Sequence, residues 1–148
     1  MTTTFRTDLR AAGVAAIDAY ITANPTRLRR SEAVRPPSVA GDLPLAFVDD
    51  MSERIHFDMQ TMDRVMSMAI VIVSPMADNV ETVGRHDTIV DSIIDHFNTS
   101  YIHFVANSSW TDLVVNDEDY PVESNDGTVR HFYATRMSFV VSKMEGRA

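Results

Sequence analysis

Apolar residues recur at Phe5, Leu9, Ala12, Ala16, Ile17, Tyr20 and Ile21, the spacing of a helix that buries one stripe. Asn24-Pro25 closes this segment, because the residue before a proline avoids the helical region. A helix is therefore predicted over 5–23. TRLRRSEAVRPPSVAGDLP follows without any period and holds three of the six prolines, so 24–44 reads as an extended arm or loop. From Leu45 the period changes to two. LAFVDD is a strand candidate, and IHFDMQ alternates Ile55, Phe57 and Met59 with His56, Asp58 and Gln60. MSMAIVIVS is apolar on both faces and belongs at the centre of a sheet. A helix is predicted over 80–97, and after it comes YIHFVA, a fourth apolar pattern of strand type. WTDLVVND and TVRHFYATRMSFVVS end the series, separated by EDYPVESNDG with its Asp126-Gly127 turn signal. In the last strand the better apolar face runs through Val129, His131, Tyr133, Thr135, Met137, Phe139 and Val141. The pattern predicts one α+β domain: a mainly antiparallel sheet spanning 45–142, with two helices packed on one face.

Composition narrows the picture. The 148 residues are enough to bury a real core, and 45% hydrophobic with 23% charged content is that of a folded protein. The absence of cysteine excludes disulfides, thiolate nucleophiles and cysteine-based metal sites. No run of about 18 apolar residues is present to span a membrane. MTTTFRTDLR lacks the apolar stretch of a secretory signal, so no export is expected and the Asn98 and Asn107 sequons carry no meaning. The net charge of −8 is uneven. Six arginines face only Asp8, Asp18 and Glu32 before residue 37, whereas the remainder carries eighteen acidic and seven basic residues. So acidic a body repels nucleic acid, while its basic end could dock on an acidic neighbour, including another copy.

Candidate chemistry is thin. HDTIVDSIIDHF places Asp87, Asp91 and Asp95 on one side of a helix, with Ile89, Val90, Ile93, Ile94 and Phe97 on the other. His86 and His96 flank that carboxylate row without joining it, and the H-E-x-x-H spacing is missing, so this side reads as solvated. His56 and Asp58 could ligate a metal from one strand face, but a polar sheet face or subunit contact is the simpler reading. His103 and His131 lie in apolar strand patterns, where a hydrogen-bonded histidine is the default. The acidic run Asn116 to Asp119 before Tyr120-Pro121 suits a loop and lacks the EF-hand pattern. Met59, Met62, Met66 and Met68 read as adaptable core filler. No phosphate-binding or nucleophile motif occurs. No catalytic residue, cofactor or metal is expected.

The order of elements is more informative than any motif. A helix, a proline-rich stretch and the strand LPLAFVDD lead through further strands to TIVDSIIDHF, and the chain closes on VRHFYATRMSFVV. From Phe5 to Val141 this layout resembles the tail terminator (tail completion) proteins of long-tailed bacteriophages and related particles. The resemblance implies a structural virion protein of the tail and neck, assembled in the host cytoplasm and devoid of turnover. It implies a ring, usually hexameric, that stops polymerisation of the tail tube and joins the tail to the head. The implied partners are further copies of the chain, the tail tube protein and the head–tail connector or stopper; DNA passes through without specific binding, and no membrane is involved. A heterologous ring uses two different patches on each subunit. Arg27, Arg29, Arg30 and Arg35 are expected to reach a neighbour's acidic surface, and Asp117, Glu118 and Asp119 to line the ring opening. Three alternatives stay open. They are a head-completion or stopper protein of the neck, a small metal-dependent hydrolase using His56, Asp58 and Asp87, and a small soluble binding domain.

Overall fold

The computed structural model describes residues 4–25, 28–30, 44–74, 80–123 and 126–146. Helix α1 covers Phe5–Ala23 and ends where Asn24 turns its N–H back to Tyr20 and Ile21, just before Pro25. Helix α2 covers Val80–Ser100. Five strands form one sheet: β1 Arg29–Arg30, β2 Leu45–Phe57, β3 Thr61–Ser74, β4 Ser108–Glu123 and β5 Val129–Gly146. Their order is β1-β2-β3-β5-β4, antiparallel throughout except for the short β1 beside β2. The fold is therefore α+β, with the apolar MSMAIVIVS segment in the middle strand.

Strand alternation gives the sheet two unlike faces. On the first, Met66, Met68, Ile70, Ile72, Met137, Phe139 and Val141 meet the buried stripes of both helices. Phe5, Leu9, Ala16, Ile17 and Tyr20 come from α1; Ile89, Val90, Ile93 and Phe97 come from α2. Gly13 lets α1 approach closely: a Cβ there would stand 2.8 Å from the sulfur of Met68. The opposite face holds a smaller cluster of Leu45, Phe47, Val71, Val73, Tyr120, Phe132 and Ala134.

Three expectations change. LAFVDD and IHFDMQ are one strand, because a bulge between Val48 and Met51 sets Asp49 and Asp50 together opposite Ala69 and shifts the face parity midway. YIHFVA forms turns, its Tyr101, Phe104 and Val105 packing as a loop against the core. Asn107, at φ 62°, redirects the chain into β4, and Trp110 ties the loop down through an N–H to Ile102 and an indole N–H to Tyr101. The acidic run before Pro121 is strand, since β4 is an edge strand whose outer side needs no ladder donor.

The two hairpins point to opposite ends of the sheet. The β2–β3 turn at 58–60 lies beside Gly146, the end of β5. The β4–β5 hairpin runs past β3, whose last residue Ser74 pairs with Tyr133.

Candidate functional site

At the Ser74 end, polar side chains interrupt the apolar face of the sheet. Ser74 closes β3, Thr135 lies in β5 and Asp117 pairs with it from β4, all on the side covered by α2. His86 projects from the first half of α2 into this layer and is fully buried. Its Nδ1 is 2.6 Å from Ser74 Oγ and its Nε2 is 2.7 Å from Thr135 Oγ1. Thr135 donates its hydroxyl to Asp117 Oδ1 at 2.8 Å, and Tyr133 donates to Oδ2 at 2.7 Å. The directions follow from the far end. Because Thr135 spends its hydrogen on Asp117, it can only accept from His86, so Nε2 carries the proton and Nδ1 accepts from Ser74.

Burial holds the His86 imidazole below its usual pKa of 6.5, while the carboxylates of Asp87 and Asp117 oppose that shift. Hydrogen bonds from Tyr133 and Thr135 lower the pKa of Asp117, and the same bond pushes Tyr133 up to about 12. The folded chain thus refuses a proton that unfolded His86 accepts near pH 6.5. The resulting stability is complete above that pH and is lost as pH falls through the lower folded value. The urea midpoint is expected to decline from pH 6.5 to 5, and His86→Gln is expected to flatten that decline.

A serine hydroxyl donating to a neutral imidazole is the pairing of a nucleophile and its base. Here, however, Ser74 and His86 are both buried. The adjoining cleft, of about 270 Å³, is lined by Asp87, Val90, Asp91, Val115, Asp117 and Thr135, and it reaches neither of them. The relay therefore fastens α2 to the sheet beneath an acidic cleft.

The other end is apolar. Phe5 receives the cations of Arg64 at 5.3 Å and Lys143 at 5.5 Å over its ring. Arg64 also pairs with Glu53 and, more distantly, with Glu145, so a charged layer seals the core beneath α1. At and beyond the level of this layer large apolar side chains are exposed on both faces: Ile55 is 38% exposed, Phe57 53%, Met59 90% and, on the opposite face, Met144 63%.

The residues singled out in the sequence are scattered. Arg27 and Arg35 lie outside the described residues. Arg29 and Arg30 form β1; Arg30 binds Asp18 of its own α1 at 2.6 Å, and the Arg29 N–H bonds Pro44. Asp117, Glu118 and Asp119 do not share one surface, because adjacent strand residues face opposite ways. Asp117 serves the His86 relay, Glu118 binds Arg136 on the other face, and Asp119 lies 2.7 Å from His131. His56 and Asp58 belong to the apolar tip, whereas Asp87 lies at the opposite end, so the hydrolase residues do not converge. Among the described residues, no group of three or more histidines and carboxylates could hold a metal ion. Asp87, Asp91 and Asp95 are exposed as expected, and His103 hydrogen-bonds the Ser108 carbonyl. Met66 and Met68 are core, but Met59 is nearly bare. No protein-family model matches the chain, and no curated protein matches it.

His86 is the residue that sequence reasoning missed. Its signal was present: 86, 89, 90, 93 and 97 form one helical stripe.

Proposed function

We propose that this protein is a ring-forming structural component of a phage-like particle, a tail terminator that caps the head-proximal end of the tail tube and joins it to the head. The observation that carries the reading is the uncovered apolar tip of the sheet. Ile55 and Phe57 stand on the helix-bearing face at and beyond the level of Arg64, Met59 lies in the turn, and Met144 projects from the opposite face, all of them exposed to water. Large apolar side chains left exposed together at one end of a sheet are the kind of surface that a protein contact covers. The tip is carried on strands that run the full height of the sheet, a rigid base suited to pressing on another subunit or on the tube. The element order that resembles the terminators supports the same assignment. The head-completion or stopper role shares this logic and differs only in which neighbour the tip meets.

The test is the mass in solution, measured by light scattering with the protein alone and with the tail tube protein encoded nearby. Assembly to about six subunits, or tubes capped at one end, is expected. Phe57→Asp with Met59→Asp is expected to leave the chain folded and to abolish the assembly, since both side chains are more than half exposed and lie outside the core clusters. A cap that forms unchanged with both aspartates in place removes the tip from the interface. A chain that binds connector protein and ignores tube protein turns the assignment to the stopper.

A further inference from the structure

The helix-bearing face of the sheet carries a groove at each margin, and the two grooves have opposite charge. Along α1, Arg6, Thr7, Arg10, Ala11 and Val14 line a shallow depression of about 510 Å³ beside the β2 bulge. Arg6 gives one N–H to the Met51 carbonyl and Arg10 gives one to the Asp49 carbonyl, each at 3.2 Å. An arginine carries five N–H donors, so both guanidinia are oriented by the bulge and keep donors to spare. At the other margin, between α2 and β4, the 270 Å³ cleft presents Asp87, Asp91 and Asp117 around Val90 and Val115. Asp87 and Asp91 are exposed, and Val115 is 42% exposed.

We infer that copies of this chain join head to tail, with the arginine flank of α1 in one copy seated against the α2–β4 aspartate cleft of the next. This deepens the ring-forming reading above and rests on it. Three features select a second copy as the occupant. The charges are complementary: two arginines meet Asp87 and Asp91, while Asp117 is already held by Thr135 and Tyr133. Each groove has an apolar floor, Ala11 and Val14 on one side and Val90 and Val115 on the other. The strand directions also agree. β1, β2 and β5 run one way while β3 and β4 run the other, so repeating the subunit sideways sets β4 antiparallel to the neighbour's opposite margin, formed by β1 beside the start of β2 and by β2 beyond it. Two different patches joined by one repeated operation close into a ring or extend into a filament. The contact thus moves the basic partner from the expected arm to α1. Charge pairs at a rim act on encounter and salt dependence, so assembly should weaken as ionic strength rises.

The test is a charge exchange read by light scattering at low and high salt, with and without tube protein. Asp87→Lys with Asp91→Lys alters only exposed helix positions, so it is expected to leave the melting curve unchanged while weakening self-association at least about tenfold. Arg6→Glu with Arg10→Glu is expected to do the same, with circular dichroism confirming a folded chain. Combining all four changes is expected to restore the assembly. Should the arginine variants unfold, Arg6→Gln with Arg10→Gln retains a donor for each bulge carbonyl and is expected to give a smaller loss. Assembly that is indifferent to the aspartate exchange, or an exchange that the combined variant fails to rescue, overturns the inference. So does a wild-type chain that stays monomeric under every condition. If rings form and respond to the exchange but never cap a tube, the contact stands and the terminator assignment falls. If tubes are capped by a ring that ignores the exchange, the reverse holds.

Discussion

Phe139→Ala is expected to remove about 3–5 kcal/mol of stability, the range for deleting a buried aromatic side chain. Phe139 has no exposure to solvent and sits where loop, strand and helix meet. Its ring lies 5.6 Å from Phe97 on α2, 5.4 Å from Phe104 in the 101–107 turns and 5.3 Å from Trp110 at the start of β4, measured between centroids. The contacts to Phe104 and Trp110 are edge-on, at 79°, the favourable arrangement of ring quadrupoles. Truncation leaves a cavity that three separate elements would have to move to refill, and each is fixed elsewhere. Trp110 is held by its indole bond to Tyr101, and Phe97 is locked against Tyr101 and Phe104. A domain of this size is stabilised by only about 5–15 kcal/mol, so the variant should melt about 10–15 °C lower or fail to accumulate. Met144→Ala, three residues past the last core position of β5 and 63% exposed, is expected to change stability by less than about 0.5 kcal/mol. Equal effects at the two positions would mean that Phe139 is not the keystone its contacts describe.

What could be read from the chain tracks how local the cause is. Helix α1 ends where expected because Pro25 acts on its immediate neighbour, and the Asp126-Gly127 turn forms with Gly127 at φ 84° because only local backbone freedom is required. Helix α2 runs three residues beyond the expected 97, since Asn98-Thr99-Ser100 carries no stop and Tyr101 still bonds back to Phe97. β2 reads as two strands because its bulge breaks the alternation: Ala46 and Val48 face the helices before it, Met51 after it. The acidic stretch of β4 resembles a loop because propensity records what a residue prefers, not that an edge strand tolerates it. The site was less legible still. The partners of His86 lie 12 and 49 residues away, and no period brings Ser74, Thr135 and Asp117 together before the sheet forms. The aspartate row draws attention to the wet side of α2, while the same helix buries its histidine. The uncovered tip, too, is invisible in a pattern where Ile55 and Phe57 read as one more apolar strand face. Only the three-dimensional position of the Arg64–Glu53 layer shows that the core has already ended before them.

A polar contact between β5 and the β2 bulge gives the second large effect: Arg136→Met is expected to cost about 2–4 kcal/mol. Asp49, in the β2 bulge, is 1% exposed and meets Arg136 Nη2 at 2.6 Å across 87 residues of sequence. The same guanidinium holds Glu118 through Nε and Nη2 at 3.2 Å and Asp50 at 2.7 Å. Burial alone would lower the pKa of Arg136, but its hydrogen bonds to Glu118 and Asp49 and their charges raise it above the usual arginine value. Asp50, 73% exposed, adds little, because water screens it. Removing the cation leaves the Asp49 carboxylate in the interior without its guanidinium, and breaking one side of a buried pair costs about 3–5 kcal/mol. The loss expected for Arg136→Met is somewhat smaller because the arginine side chain keeps 19% exposure, through which water can partly replace it. Arg136→Lys should fall between, since one ammonium cannot serve carboxylates on β2 and β4 with the geometry of a planar fork. The decisive variant is double: Asp49→Leu with Arg136→Met removes both charges and should recover most of the loss, because the pair's own desolvation disappears with it. Urea titrations separate these outcomes as shifts in midpoint at constant slope. A double variant no better than Arg136→Met alone would show that the arginine stabilises the sheet in some other way than by neutralising the bulge.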